Sequence, residues 1–144
     1  MALRKKTDHI IIHCSATRPS MNWGAEDVDH EHRRQGYLSG GYHFVIRRNG
    51  KVEPCRYRDD VGAHARGYNE RSVGICLIGG VTEKDVNKAE DNFTPEQWAA
   101  LAPLVKDLLK IYPGCKVIGH NEVAKKACPS FNVQEWWAGV NTAN

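Results

Sequence analysis

The sequence predicts a single α/β domain, residues 1–144, built on a central mixed β-sheet flanked by helices. Three observations carry this. Short β-branched apolar runs alternate along the chain with longer segments of helical period. The elements follow in the order β, α, β, β, β, α, β, α. The 144 residues, 41% hydrophobic and 26% charged, suffice for one core, and neither a linker nor a repeat divides them.

Residues 8–14, with Ile10-Ile11-Ile12 at their centre, form a buried strand. Residues 24–35 are polar and charged and run up to Gly36, which predicts an exposed helix with a glycine near its C-terminal cap. A strand over 42–47 meets Asn49-Gly50, the dipeptide of a tight hairpin, and returns over 51–53. Residues 72–78 are a second buried strand closed by Gly79-Gly80, and 81–92 read as a loop. Thr94-Pro95-Glu96-Gln97 opens a helix with an N-cap threonine, a proline at the first position and a glutamine at capping-box spacing. The helix should run to about Ile111, with Trp98, Leu101, Leu104, Val105, Leu108 and Leu109 on one face and a kink-prone Pro103 within it. A short strand over 116–119 and a helix opened by Asn132-Val133-Gln134-Glu135, carrying Trp136 and Trp137, complete the chain.

A net charge of +3 is too small to argue for nucleic-acid binding. No apolar run approaches the roughly 20 residues of a membrane span. The basic start at residues 1–6 resembles a signal n-region, but the apolar stretch after it is short of the roughly 7–15 residues an h-region needs. The chain is therefore expected in a cytoplasm. The five cysteines are scattered without a C-x-x-C pair, so free thiols, mostly small buried apolar groups, are expected, with Cys76 in the core.

Zinc takes imidazole and thiolate ligands in tetrahedral geometry, and a catalytic site leaves one position for water. His13 at a strand end, His120 after the late strand and Cys128 on the following loop are candidates. Seven histidines and five cysteines allow many other triples, so spacing alone does not choose between them. Taken singly, His13 is a satisfied strand-end histidine and Cys128 an inert thiol. Lys126 reads as a solvated lysine and Tyr42 as an amphipathic strand residue. His43 should face away from Tyr42, since consecutive strand residues alternate. His9, His30 and His32 read as bland, the last two on a solvated helix face. Trp98, Trp136 and Trp137 read as core, and Trp23 as a cleft wall.

Longer stretches decide among these readings. They are His13-Cys14-Ser15-Ala16-Thr17, Gln35-Gly36-Tyr37, Gly41-Tyr42-His43-Phe44 and Gly62-Ala63-His64-Ala65-Arg66-Gly67-Tyr68-Asn69, then residues 72–80, Asn92-Phe93-Thr94-Pro95 and residues 120–131. In this order the chain closely resembles the amidase-2 family of N-acetylmuramoyl-L-alanine amidases, in particular its small phage lysozymes, and the likeness covers nearly the whole length. The resemblance implies zinc held by His13, His120 and Cys128, activity that needs Tyr42 and Lys126, and a substrate-cleft position for His64. It implies a peptidoglycan-recognition-like fold and hydrolysis of the amide between muramic acid and L-alanine in peptidoglycan. It also implies a monomer that reaches the wall from the host cytoplasm once another protein permeabilises the membrane, with no membrane insertion and no direct nucleic-acid contact, and a possible second partner, the phage's single-subunit RNA polymerase. Three positions depart from the phage pattern: Glu31 stands for a tryptophan, Asn121 for a second histidine and Asn132 for an aspartate. Asparagine caps a helix as well as aspartate does.

Overall fold

The structure is a computed structural model that describes residues 2–142. Five strands form one sheet in the order β3-β2-β4-β1-β5: β1 (His9–Cys14), β2 (Phe44–Ile46), β3 (Val52–Pro54), β4 (Ser72–Leu77) and β5 (Lys116–Gly119). The central strand β1 pairs in parallel with β4 and with β5, so that His9 lies opposite both Ser72 and Lys116. β2 runs parallel to β4, and only the edge strand β3 is antiparallel, paired to β2 through a hairpin over residues 47–51, longer than the expected two-residue turn, in which Gly50 alone has a positive φ of 86°. The sheet is therefore mixed, as the sequence predicts, and the element order agrees. Among the described residues no helix is long and apolar enough to cross a membrane.

Alternation along the strands sorts the core into two layers. Ile10, Ile12, Val73, Ile75 and Leu77 face α2 (Pro95–Ile111) and α3 (Val133–Thr142), where Leu101, Val105, Leu108 and Val133 meet them. Trp98, Trp136 and Trp137 pack against the same cluster, consistent with a core reading. The opposite face is thinner: Val45, Cys76 and Ile78 meet Val28, the one buried residue of the otherwise polar helix α1 (Ala25–Arg34). Such apolar side chains contribute roughly 1.5–3 kcal/mol each when fully buried. All five cysteines are free.

The cap of α2 does more than end a helix. Thr94 Oγ1 accepts from the Gln97 amide at 3.1 Å, and Gln97 Oε1 accepts from the Thr94 amide at 2.9 Å, which completes the capping box. The fully buried Gln97 also donates through Nε2 to the carbonyls of Ile46 at 3.1 Å and Ile78 at 2.9 Å. One side chain thus joins the helix start to the ends of β2 and β4. Helix α2 continues through Pro103. At α3, Asn132 Oδ1 accepts from the Glu135 amide at 3.0 Å, the expected cap.

Candidate metal centre and its two clefts

His13, the penultimate residue of β1, points to the α1 side of the sheet and is 1% exposed. His120 follows β5 directly and starts a 3-10 turn, His120–Glu122. Because β1 and β5 are parallel neighbours, both histidines emerge at the same sheet edge, with ring centroids 4.5 Å apart. The loop after the turn returns Cys128 to them. Ser130 anchors that loop by donating to the Gly80 carbonyl at 2.8 Å, and Glu122 accepts from the Gly119 amide at 2.6 Å. The candidate donor atoms of His13, His120 and Cys128 lie within 4.8 Å of one another, and among the described residues no other group of this kind is found.

The surroundings suit ligands. Burial first, then the nearby His64, His120 and Lys126, holds His13 well below the usual imidazole range, and burial followed by Lys126 lowers His120. Both rings are therefore neutral with lone pairs available, the form a metal requires. The Cys14 thiol and burial hold the Cys128 thiol well above the usual range in the metal-free chain, opposed by the Cys14 amide that Sγ accepts at 3.2 Å, so the thiolate would form as a cation binds. Cys14, expected as a plain buried thiol, sits against Cys128, and the two thiols resist ionising together. Two imidazoles and one sulfur fill three tetrahedral positions and leave a fourth open, so the residues present fit a zinc ion.

Tyr42 packs beside the triad, its ring 5.0 Å from that of His13. Burial raises its hydroxyl well above the usual phenol range, with the neighbouring thiols of Cys76, Cys128 and Cys14 adding to the effect. It therefore stays a hydrogen-bond donor at neutral pH. Lys126 lines two adjacent clefts. The first, about 290 Å³, is walled by Trp23, Glu31, His32, Tyr42, Lys126 and Cys128. The second, about 490 Å³, is lined by Tyr37, His64, Arg66, Asn69, His120 and Lys126. His120 and Lys126 belong to both, so the triad sits at the junction. Trp23 takes the cleft-wall place expected of it. Glu31 also faces the first cleft, its carboxylate held by Arg34 and Gln35.

His64 is 9% exposed and lies against His13, with 2.8 Å between His64 Nδ1 and His13 Nε2. Alternation does not separate His43 from Tyr42, because regular strand begins only at Phe44. Both rings approach His64, at 5.6 and 6.5 Å. His43 is fully buried: its Nδ1 accepts the Gly74 amide at 2.9 Å, so Nε2 carries the proton and donates to the Asp60 carbonyl at 2.8 Å.

His32 is the residue the sequence reading misplaced. It is half-buried rather than solvated, accepts the Gly41 amide on Nδ1 at 2.8 Å and packs 5.4 Å from Tyr42. A usable signal existed. Val28, Glu31, His32 and Gln35 recur at helical spacing, and all four line the first cleft. His30 is exposed, as expected.

Comparison with known proteins shows the family and the fold. The profile of the family described as N-acetylmuramoyl-L-alanine amidase matches residues 3–131. The endolysin of Escherichia phage T7 is 48% identical over 134 residues, 93% of this chain and 87% of that protein. The endolysin of Klebsiella phage KP32 is 47% identical over the same shares. Among solved structures, the endolysin N-acetylmuramoyl-L-alanine amidase LysCS from Clostridium intestinale superposes with a TM-score of 0.83 at 28% identity, covering 98% of this chain and 89% of that one.

Proposed function

The chain belongs to the N-acetylmuramoyl-L-alanine amidase family, and on that premise we propose that it is a zinc-dependent phage endolysin that cuts the amide between muramic acid and L-alanine in peptidoglycan. The observation that carries the reading is the convergence of His13, His120 and Cys128 at the junction of two clefts that share Lys126. The three residues would hold the ion. When bound, zinc supplies Lewis acidity and an activated water near neutral pH.

The remaining chemistry belongs to the chain's own side chains. Lys126 places a positive charge where the scissile carbonyl develops negative charge, and such donors act strongly in a site that excludes water. Tyr42, kept protonated by burial, donates a hydrogen bond to the same developing oxyanion. The two clefts give a substrate with a sugar arm and a peptide arm a bed on either side of the reacting bond, and the exposed edge of His64 contributes to the wall of the second. Paired carboxylates of the kind a glycosidase uses do not line either cleft: among the described residues Glu31 is the only carboxylate there.

In this reading residues 1–144 act as one catalytic domain and as a monomer, made in the host cytoplasm and reaching the wall after another protein permeabilises the membrane. Contact with a phage RNA polymerase is a second role implied by the resemblance. Arg4 is turned inward onto the Asp60 carbonyl and Tyr112, which leaves Lys5 and Lys6 as the basic residues offered at that end. A pull-down with the cognate polymerase tests that role. The main reading is tested by digesting purified peptidoglycan while zinc content is measured in the same preparation. Free L-alanine amino termini with intact glycan strands and about one zinc per chain are expected. New reducing sugar ends, or full activity in metal-free protein, would refute it.

A further inference from the structure

The surroundings of His64 assign its protons. Ser72 Oγ donates to the Tyr68 carbonyl at 2.7 Å, and a carbonyl can only accept. The Ser72 proton is thereby committed, so the 3.2 Å contact between Ser72 Oγ and His64 Nε2 runs from the ring N–H to the hydroxyl oxygen. A neutral imidazole carries one proton. His64 Nδ1 is then an acceptor, and its 2.8 Å contact with His13 Nε2 runs from His13. The single proton of His13 lies on Nε2. Its Nδ1 is left with a bare lone pair on the side of Cys128 Sγ, 3.9 Å away.

The ring of His64 is also held in place. A Cβ at residue 74 would stand 2.7 Å from both Cγ and Nδ1 of His64, and one at residue 62 would stand 2.6 Å from its Cδ2. Only glycine leaves room for the ring between these two backbones. Asn69 Oδ1 accepts the amides of His64 and Ala65 at 2.8 and 2.9 Å, which fixes the loop that carries the ring.

We propose that His64 is a positioning residue: through the chain Tyr68 carbonyl, Ser72, His64 it sets the tautomer and orientation of His13, so that Nδ1 is the atom offered to the metal. Partners of this kind behind a histidine ligand raise metal affinity. The consequence for zinc rests on the function proposed above. The tautomer does not, since it is a property of the metal-free chain.

The test has two arms. Long-range proton–nitrogen correlation spectra of the metal-free, nitrogen-15-labelled protein read the tautomer of His13 directly. A proton on Nε2 is expected, and a proton on Nδ1 overturns the proposal whether or not the chain binds zinc. In the second arm, zinc affinity is measured by competition with a chromophoric chelator. His64→Leu should bind about 10–100-fold more weakly. His64→Asn, whose Oδ1 replaces Nδ1 as acceptor, should recover most of that loss. Ser72→Ala should lose affinity in the same direction by less, and it carries the test if His64→Leu does not fold. Parental affinity in His64→Leu or in Ser72→Ala, or an Asn variant as weak as the Leu variant, overturns the positioning role. Absence of zinc binding in the parent would instead sink the zinc reading and leave the tautomer result standing.

Discussion

Replacing Gln97 with methionine keeps the volume of a fully buried side chain and removes only its polar atoms. Four hydrogen bonds disappear: two from Nε2 to the Ile46 and Ile78 carbonyls, one to Oε1 from the Thr94 amide, and a long one of 3.5 Å to the same oxygen from Arg48 Nη1, which adds little. Each carbonyl keeps a second donor, the Ile78 amide for Ile46 at 3.1 Å and Arg48 Nη1 for Ile78 at 3.2 Å. Their loss is therefore that of an ordinary bond, about 1 kcal/mol each. The Thr94 amide, at a half-buried helix start, loses the capping partner and adds about 1 kcal/mol more. The total of about 3 kcal/mol should appear as a fall in the urea midpoint at unchanged slope, and as a drop of roughly 10 °C in melting temperature. Thr94→Ala loses the cap and the 2.6 Å bond from Oγ1 to the Arg48 carbonyl but leaves the Gln97 bonds to Ile46 and Ile78 in place, and should fall by about 2 kcal/mol. If Gln97→Met unfolds no more readily than Thr94→Ala, the bonds from Gln97 to β2 and β4 contribute less than assigned, and the account of this junction fails.

Lys126→Ala and Tyr42→Phe should retain zinc and fold while turnover on peptidoglycan drops by roughly 100-fold, because both act on charge that develops in the reaction. Cys128→Ser should lose zinc and turnover together, since a neutral hydroxyl is a far poorer zinc ligand than a thiolate. Elemental analysis beside rate separates the two behaviours, and normal turnover in both Lys126→Ala and Tyr42→Phe would remove them from the mechanism. Zinc at about 100 times its Kd should raise the unfolding free energy of the parent by about 2.7 kcal/mol, read from denaturation with and without metal. His43 is pushed down to about 4 by burial, from 6.5 in the unfolded chain. Between those values the unfolded chain binds a proton that the folded chain refuses. The His43 contribution is thus complete above pH 6.5 and falls by about 3 kcal/mol as pH drops to 4. His43→Gln should flatten that part of the stability–pH curve relative to the parent, and an unchanged slope would contradict it.

Much of the fold could be read from local signals. The isoleucine run of β1 and the Thr94 and Asn132 caps each carry their own stereochemistry, and the structure places them as expected; at the hairpin only Gly50, and not Asn49, takes a positive φ, and the connection is longer than a two-residue turn. The site was legible in a different way. His13, His120 and Cys128 were separated from rival triples only by the long stretches around them, since no local rule links residue 13 to residue 128. His32 was misread because its helix is polar almost throughout, and the weight of that composition hid a four-residue inner stripe built on Val28. The proton assignment at His64 lay beyond sequence altogether. It depends on which way a serine hydroxyl points across the gap between a loop and β4.

The central position of β1 has a consequence for how the chain comes to be folded. Its three consecutive isoleucines have no partner strand until β4 has been made, and the other side of the strand stays open until β5 follows. Every pairing of β1 is parallel and distant in sequence, from His9 to Ser72 in β4 and to Lys116 in β5, the kind of contact that closes slowly. While it waits, β1 is a short, uncharged, β-prone segment with both edges free, and such segments pair readily with copies of themselves. The strand that later delivers His13 to the site is thus the part of the newborn chain most in need of protection. Dilute refolding, or a chaperone that covers residues 9–14, favours the native sheet over aggregation.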